Sequence, residues 1–221
     1  MVQQKLVLLL FSLFLTAFHK HALADQIWST KQLHILEALW IGSLTDLGVD
    51  PSNKFSKDPI AVNLGHRIFF DKRFSGDGKV SCASCHQPLR AFTDGLPLAK
   101  GMGQSTRNTP TIIGTAYSPW FFWNGRADSQ WSQALQPMEA LSEHGGARTG
   151  FAKVIYGDAT YRSLYEKLFG VMPDISDKNK FPPEAAPTGA IQTRTAWEAM
   201  TTKNQKKVTG IFVNIGKAIA S

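Results

Sequence analysis

Apolar residues at Leu33, Leu36, Leu39, Trp40, Leu44 and Leu47 recur at close to helical spacing. They predict one amphipathic helix over Trp28–Leu47, ended by Gly48 and the breaker Asp50-Pro51-Ser52-Asn53. After a polar stretch, Pro59 is placed to open a second helix carrying Ala61, Leu64, Ile68 and Phe69, which stops before the turn Gly76-Asp77-Gly78. Leu89–Thr111 is polar and Gly-rich with little periodicity, so it reads as a long loop, and loops of that length tend to be functional. Trp131–Leu141, Tyr161–Phe169, Thr195–Met200 and Gln205–Ala220 are further helices, with a turn at Gly145-Gly146 and a loop over Met172–Gly189. No strand pairing or repeat emerges, so the expected class is all-α.

The front of the chain has a different pattern. Lys5 precedes the apolar run Leu6–Phe18, and small residues at Ala22 and Ala24 offer a cleavage point before Asp25. This is the layout of a secretory signal peptide over residues 1–24, too short to span a bilayer as a settled helix. The remainder falls into an amino-terminal helix and linker over 25–58 and a main domain over 59–221. The expected address is the periplasm, with no transmembrane span after signal removal.

The chain has 221 residues, of which 43% are hydrophobic and 19% charged, which fits one or at most two globular domains. The formal net charge of +7 includes Lys5 and Lys20, so the mature chain is only mildly basic. Its densest cluster is Lys203, Lys206 and Lys207, too sparse to track phosphates, which argues against a nucleic acid partner. The two cysteines stand together, so export does not come with a disulfide framework.

Cys82-Ala83-Ser84-Cys85-His86 is the C-x-x-C-H signature of covalent haem c attachment. On a helical turn these three residues share a face, so both sulfurs reach the porphyrin vinyl groups while His86 lies over the iron as axial ligand. A structural disulfide or half of a zinc site is the alternative; zinc requires further ligands, and no second cysteine pair exists.

The run Leu64–Ser75, then Val80–His86 and Ala91-Phe92-Thr93-Asp94-Gly95, resembles the bacterial dihaem cytochrome c peroxidase and MauG family. Arg107–Thr111, Phe122–Ala127 and Gln133–Pro137 followed by Glu143 resemble later blocks of that family in the same order. The resemblance covers residues 60 to 221 and corresponds to the amino-terminal, peroxidatic haem domain only; the second C-x-x-C-H is absent. It implies an all-α, c-type cytochrome-like domain with long loops wrapping one covalent haem c.

The resemblance also implies roles. Glu143 sits where the family places its distal acid, with Glu139 the fallback one turn earlier and a solvated glutamate the plain alternative. Trp123 resembles the tryptophan between the two haems, or else is a core aromatic beside one. Asn108 matches a position that helps bind calcium, although an isolated asparagine is also a turn former. Arg107 and Arg126 can pair with haem propionates through forked donors, or lie in surface ion pairs. In many family members a histidine from the loop after the motif blocks the haem. Here Leu98–Met102 contains none and Lys100 occupies about that place, implying an open site as in the MauG branch. Met102 as an iron ligand would instead make an electron carrier. His34, His66 and His144 read as structural or exposed, with His144 of most interest beside Glu143.

The leading expectation is reduction of hydrogen peroxide with electrons from a small cytochrome or cupredoxin. A single-haem electron-transfer module, a MauG-like oxidation of a partner protein, and an interrupted reading frame without function are the alternatives.

Overall fold

The computed structural model describes residues 27–48 and 50–221. The expected signal peptide over residues 1–24 lies outside the described residues. The chain divides into two compact units, one up to Leu47 and one from Gly48 onward.

In the first unit, α1 (Thr30–Ala38) begins at a capping box, with the Ser29 hydroxyl accepting from the Gln32 N–H and the Gln32 side chain answering the Ser29 N–H. The expected helix to Leu47 is cut short. Trp40 is extended, a single 3-10 turn follows at Ile41–Ser43, and the Ser43 hydroxyl caps the Glu37 carbonyl. The reason is local: Gly42 and Ser43 are poor helix formers, and Ser43 offers the last turn an acceptor-satisfying end. Every side chain of α1 is exposed.

The second unit is built on α2 (Pro59–Phe70), α3 (Cys82–Cys85), α4 (Gln130–Glu139), α5 (Arg148–Gly157), α6 (Ala159–Phe169), α7 (Ile191–Glu198) and α8 (Thr202–Ile219). Among the described residues there is no named strand, only isolated bridges at Gln87–Thr93, Lys100–Gln104 and Phe121–Ala127. No helix among them is long and apolar enough to cross a membrane.

Pro59 does open α2, and Asp58 caps it by accepting from the N–H groups of Ile60 and Ala61. α8 is the hub: it packs on α2, α4 and α5, while α6 covers α2 and α5. The α2–α8 crossing is close because Gly65 has no side chain; a Cβ there would stand 1.9 Å from the Ala218 carbonyl oxygen. Leu64, Ile68, Phe74, Phe151, Ile211 and Ile215 fill the core between these helices. Asn53, fully buried, donates to the Lys217 carbonyl at 2.9 Å and ties the segment before α2 to the end of α8.

α5 was not anticipated. Its sequence, Arg148-Thr149-Gly150-Phe151-Ala152-Lys153-Val154-Ile155-Tyr156-Gly157, carries glycine and β-branched residues that weaken helix propensity. Burial of Thr149, Phe151, Ala152 and Ile155 overrides that weakness. α7 likewise starts four residues before the expected Thr195.

Candidate functional site

The Cys82–His86 turn is a built element. Ser81 and Ser84 close a reciprocal cap, with the Ser81 N–H donating to the Ser84 hydroxyl at 3.0 Å, and the His86 N–H donates to the Cys82 carbonyl at 2.8 Å. Both cysteines are free thiols, so the disulfide alternative is not what the turn forms. Burial pushes the Cys82 thiol up to about 12, and burial with the nearby carboxylates of Asp94 and Glu143 raises Cys85. Cys85 Sγ also donates to the Lys100 carbonyl at 3.6 Å.

His86 Nδ1 lies 3.1 Å from the Phe92 carbonyl oxygen. A carbonyl only accepts, so Nδ1 carries the hydrogen and Nε2 keeps its lone pair. Burial holds the ring below the usual histidine value, against the pull of the Phe92 and Pro110 carbonyls and of Asp94. A neutral imidazole with one nitrogen fixed is the form that binds a metal. Phe69 and Phe92 stand beside it, with the Phe69 ring 6.5 Å from that of His86 and 6.4 Å from that of Phe92. Asp94 Oδ2, next to this turn, is buried without a hydrogen-bond partner, while the buried Thr109 hydroxyl faces the Cys85 thiol. Two thiols on one turn, an imidazole oriented through Nδ1, aromatic walls and an unpartnered buried carboxyl oxygen fit a covalently held haem c.

The loop 140–147 between α4 and α5 carries Glu143 and His144. Its path is fixed by backbone bonds: Glu143 N–H to Ala140, His144 N–H to Pro137 and Gly146 N–H to Met138. From the long loop, the Met102 N–H donates to the Glu143 carbonyl at 2.8 Å and the Gly103 N–H to that of Ser142 at 3.1 Å. Gly101 fits here because a Cβ would lie 2.5 Å from the Glu143 carbonyl oxygen. Burial raises the Glu143 carboxyl, partly offset by Arg126. No ion pair among the described residues includes Glu143.

Glu139 is committed elsewhere. Arg148 donates to both of its carboxylate oxygens at 2.9 Å, and the pair is almost covered, at 15% and 9% side-chain exposure. This removes the fallback acid. Sequence reasoning missed Arg148, which follows a glycine turn where no periodic signal marks it.

The remaining candidates are placed as follows. Arg126 lies over the Phe122 ring at 3.4 Å and donates to Gln136 and Asn124 rather than to an acid. Arg107 and Asn108 are exposed. Among the described residues no cluster of three or more His, Cys, Asp or Glu side chains is arranged to hold a metal ion. Trp123 is 82% exposed, which corrects the core-aromatic alternative: it sits at the tip of a hairpin closed by the Phe121–Ala127 bridge, where neighbouring helices leave no cover. The Met102 sulfur lies 2.7 Å from where a Cβ on Gly145 would be, so it packs against that turn. His66 is exposed against Phe70, and His34 faces Glu37. His144 is buried, with Nδ1 2.7 Å from the Phe74 carbonyl oxygen.

Residues 59–211 match the family described as di-haem cytochrome c peroxidase. The cytochrome-c peroxidase IdrP2 of Pseudomonas sp. (strain SCT) is 44% identical over 89 residues, covering 39% of this chain and 24% of that protein. The methylamine utilization protein MauG of Paracoccus denitrificans (strain Pd 1222) is 36% identical over 166 residues, covering 64% of this chain and 41% of that protein. A crystal structure of a MauG-like protein associated with microbial copper homeostasis superposes with a TM-score of 0.53 at 24% identity, over 82% of this chain and 47% of that one. The chain thus spans between a quarter and two fifths of the length of these curated relatives. The match spans the C-x-x-C-H turn, its covering loop and the Glu143 loop together, and haem c is the cofactor the family implies. The chain belongs to the di-haem cytochrome c peroxidase family.

Proposed function

We propose that this chain provides the peroxide-reducing haem domain of a periplasmic peroxidase, supplied with electrons by a small cytochrome or cupredoxin. The observation that carries the reading is Glu143, a carboxyl raised by burial and free of ion pairs, pinned by main-chain bonds on a loop whose charge is felt at Cys85.

Cys82 and Cys85 would hold the haem as thioethers and His86 Nε2 would ligate its iron; the bound group supplies a metal that accepts peroxide oxygen and passes on electrons. Overall, hydrogen peroxide, two electrons and two protons give two water molecules. Glu143 manages the internal proton: its carboxylate takes one from the first peroxide oxygen and returns it to the departing oxygen, which leaves as water. A half-buried carboxyl with a raised proton affinity is suited to both halves of that transfer. Arg126 keeps Glu143 ionised enough to act first as a base. The charged and then apolar start of the chain supports export, where haem c proteins mature.

The test is Glu143→Gln in the haem-loaded protein, with rates followed by oxidation of a reduced cytochrome. The expected result is unchanged haem content and a rate lower by ~10²- to 10⁴-fold. An unaltered rate removes Glu143 from the chemistry. The exposure of Trp123 favours a second reading, oxidation of a partner protein's side chain through that ring; retained partner oxidation in Trp123→Phe would exclude it.

A further inference from the structure

Asp94 is a carboxylate that the proton-transfer scheme does not use, and it is only 5% exposed. Its Oδ1 accepts from the Leu96 N–H at 3.1 Å, while Oδ2 has no partner. No ion pair among the described residues includes it. Arg90 donates to the Asp94 main-chain carbonyl at 3.2 Å and is itself exposed, so its charge is largely screened by water. Leaving a buried carboxylate oxygen without a donor is costly, and such a group calls for an explanation.

Its placement gives one. The turn that holds His86 through the Phe92 carbonyl continues, by the Gln87–Thr93 bridge, directly into Asp94. Gln87, next to His86 in sequence, donates its N–H to the carbonyl of Thr93, next to Asp94, and this bond sets the carboxyl beside the His86 turn. We propose that Asp94 is a fixed, buried negative charge that lowers the reduction potential of the haem held at Cys82, Cys85 and His86. The inference rests on the haem reading and goes beyond it to an assigned tuning residue. Oxidised iron carries one more positive charge than reduced iron, so a nearby unscreened carboxylate favours the oxidised state. That state is the one a peroxide-reducing resting site has to keep accessible.

The experiment is a spectroelectrochemical titration of the full chain loaded with haem. Asp94→Asn keeps Oδ1 for Leu96 and removes only the charge. The expected shift is upward, by about a tenfold change in the oxidised-to-reduced ratio at fixed potential, which for one electron is about 59 mV. An Asn variant that carries haem with the wild-type potential overturns the proposal. If the Asn variant fails to retain haem, Asp94→Ser, which removes the same charge and keeps a hydroxyl acceptor for the Leu96 N–H, decides: a raised potential supports the proposal, and an unchanged or lowered one overturns it. A wild-type protein that attaches no haem overturns the haem reading itself, a failure distinct from an unmoved potential.

Discussion

Arg148 grips both carboxylate oxygens of Glu139 at 2.9 Å, joining the last residue of α4 to the first residue of α5 across the loop that carries Glu143. The same guanidinium donates to Thr209 and lies over the Trp197 and Phe212 rings, so one side chain knits α4, α5, α7 and α8. Removing one partner strands a buried charge. Arg148→Met is expected to cost about 3 kcal/mol of unfolding free energy, and the double variant Glu139→Leu/Arg148→Met to recover most of it. Urea titrations of the three proteins check this; a double variant as weak as the single one would contradict it.

Gly101 predicts a second outcome. A Cβ at this position meets the main chain of Glu143 and Ser142, and backbone yields less easily than a side-chain tip. Gly101→Ala is expected to destabilise by ~1–3 kcal/mol and to slow peroxide turnover, because relief of the clash displaces the acid. Turnover measured well below the melting temperature separates displacement from unfolding.

In the proposed proton transfer, proton affinity at Glu143 sets the acid limb of the rate. Burial raises it above the ordinary 4.5, and Arg126 works in the other direction. As pH falls through the raised value the carboxylate is lost and the rate drops. Taking away Arg126 raises the affinity further, so Arg126→Gln is expected to move the acid limb to higher pH. A limb that stays in place would show that Arg126 does not act on Glu143.

His144 makes stability pH-dependent. Burial depresses its folded value below 6.5, despite the Phe74 carbonyl that favours the proton. Below 6.5 the unfolded chain binds a proton that the folded chain refuses, so this contribution is full above 6.5 and declines as pH falls from there. His144→Asn keeps an amide donor near the Nδ1 position. It is expected to flatten the fall in unfolding free energy between about pH 6.5 and 5; an unchanged slope would place the dependence elsewhere.

Much of this was legible from one-dimensional pattern. Pro59 after Asp58 marked the start of α2, and the spacing of Cys82, Cys85 and His86 marked the attachment turn, because both signals are local. The α8 stripe of Val208, Ile211, Phe212 and Ile215 was equally plain, since its period is helical. α5 was not, because its helicity comes from packing of Phe151 and Ile155 rather than propensity. At the site, Glu143 was reached through resemblance to a family block, whereas the Glu139–Arg148 pair and the unpartnered Asp94 oxygen depend on contacts between elements distant in sequence. Trp123 was reached through resemblance too, and its 82% exposure at a hairpin tip is something composition does not report.

The strap over residues 101–103 holds Glu143 by main-chain N–H groups and by a glycine that leaves room, not by side-chain identity. A substitution at 102 therefore leaves the tether's donor in place, provided the chain keeps its path and the residue is not proline, whereas at 103 a Cβ would stand 3.3 Å from the Ser142 Cα. Descendants of this sequence can drift there in letters while preserving the placement of the acid. What selection has to guard is a length of chain and one absent methyl group at position 101, a requirement that an inventory of functional side chains does not contain.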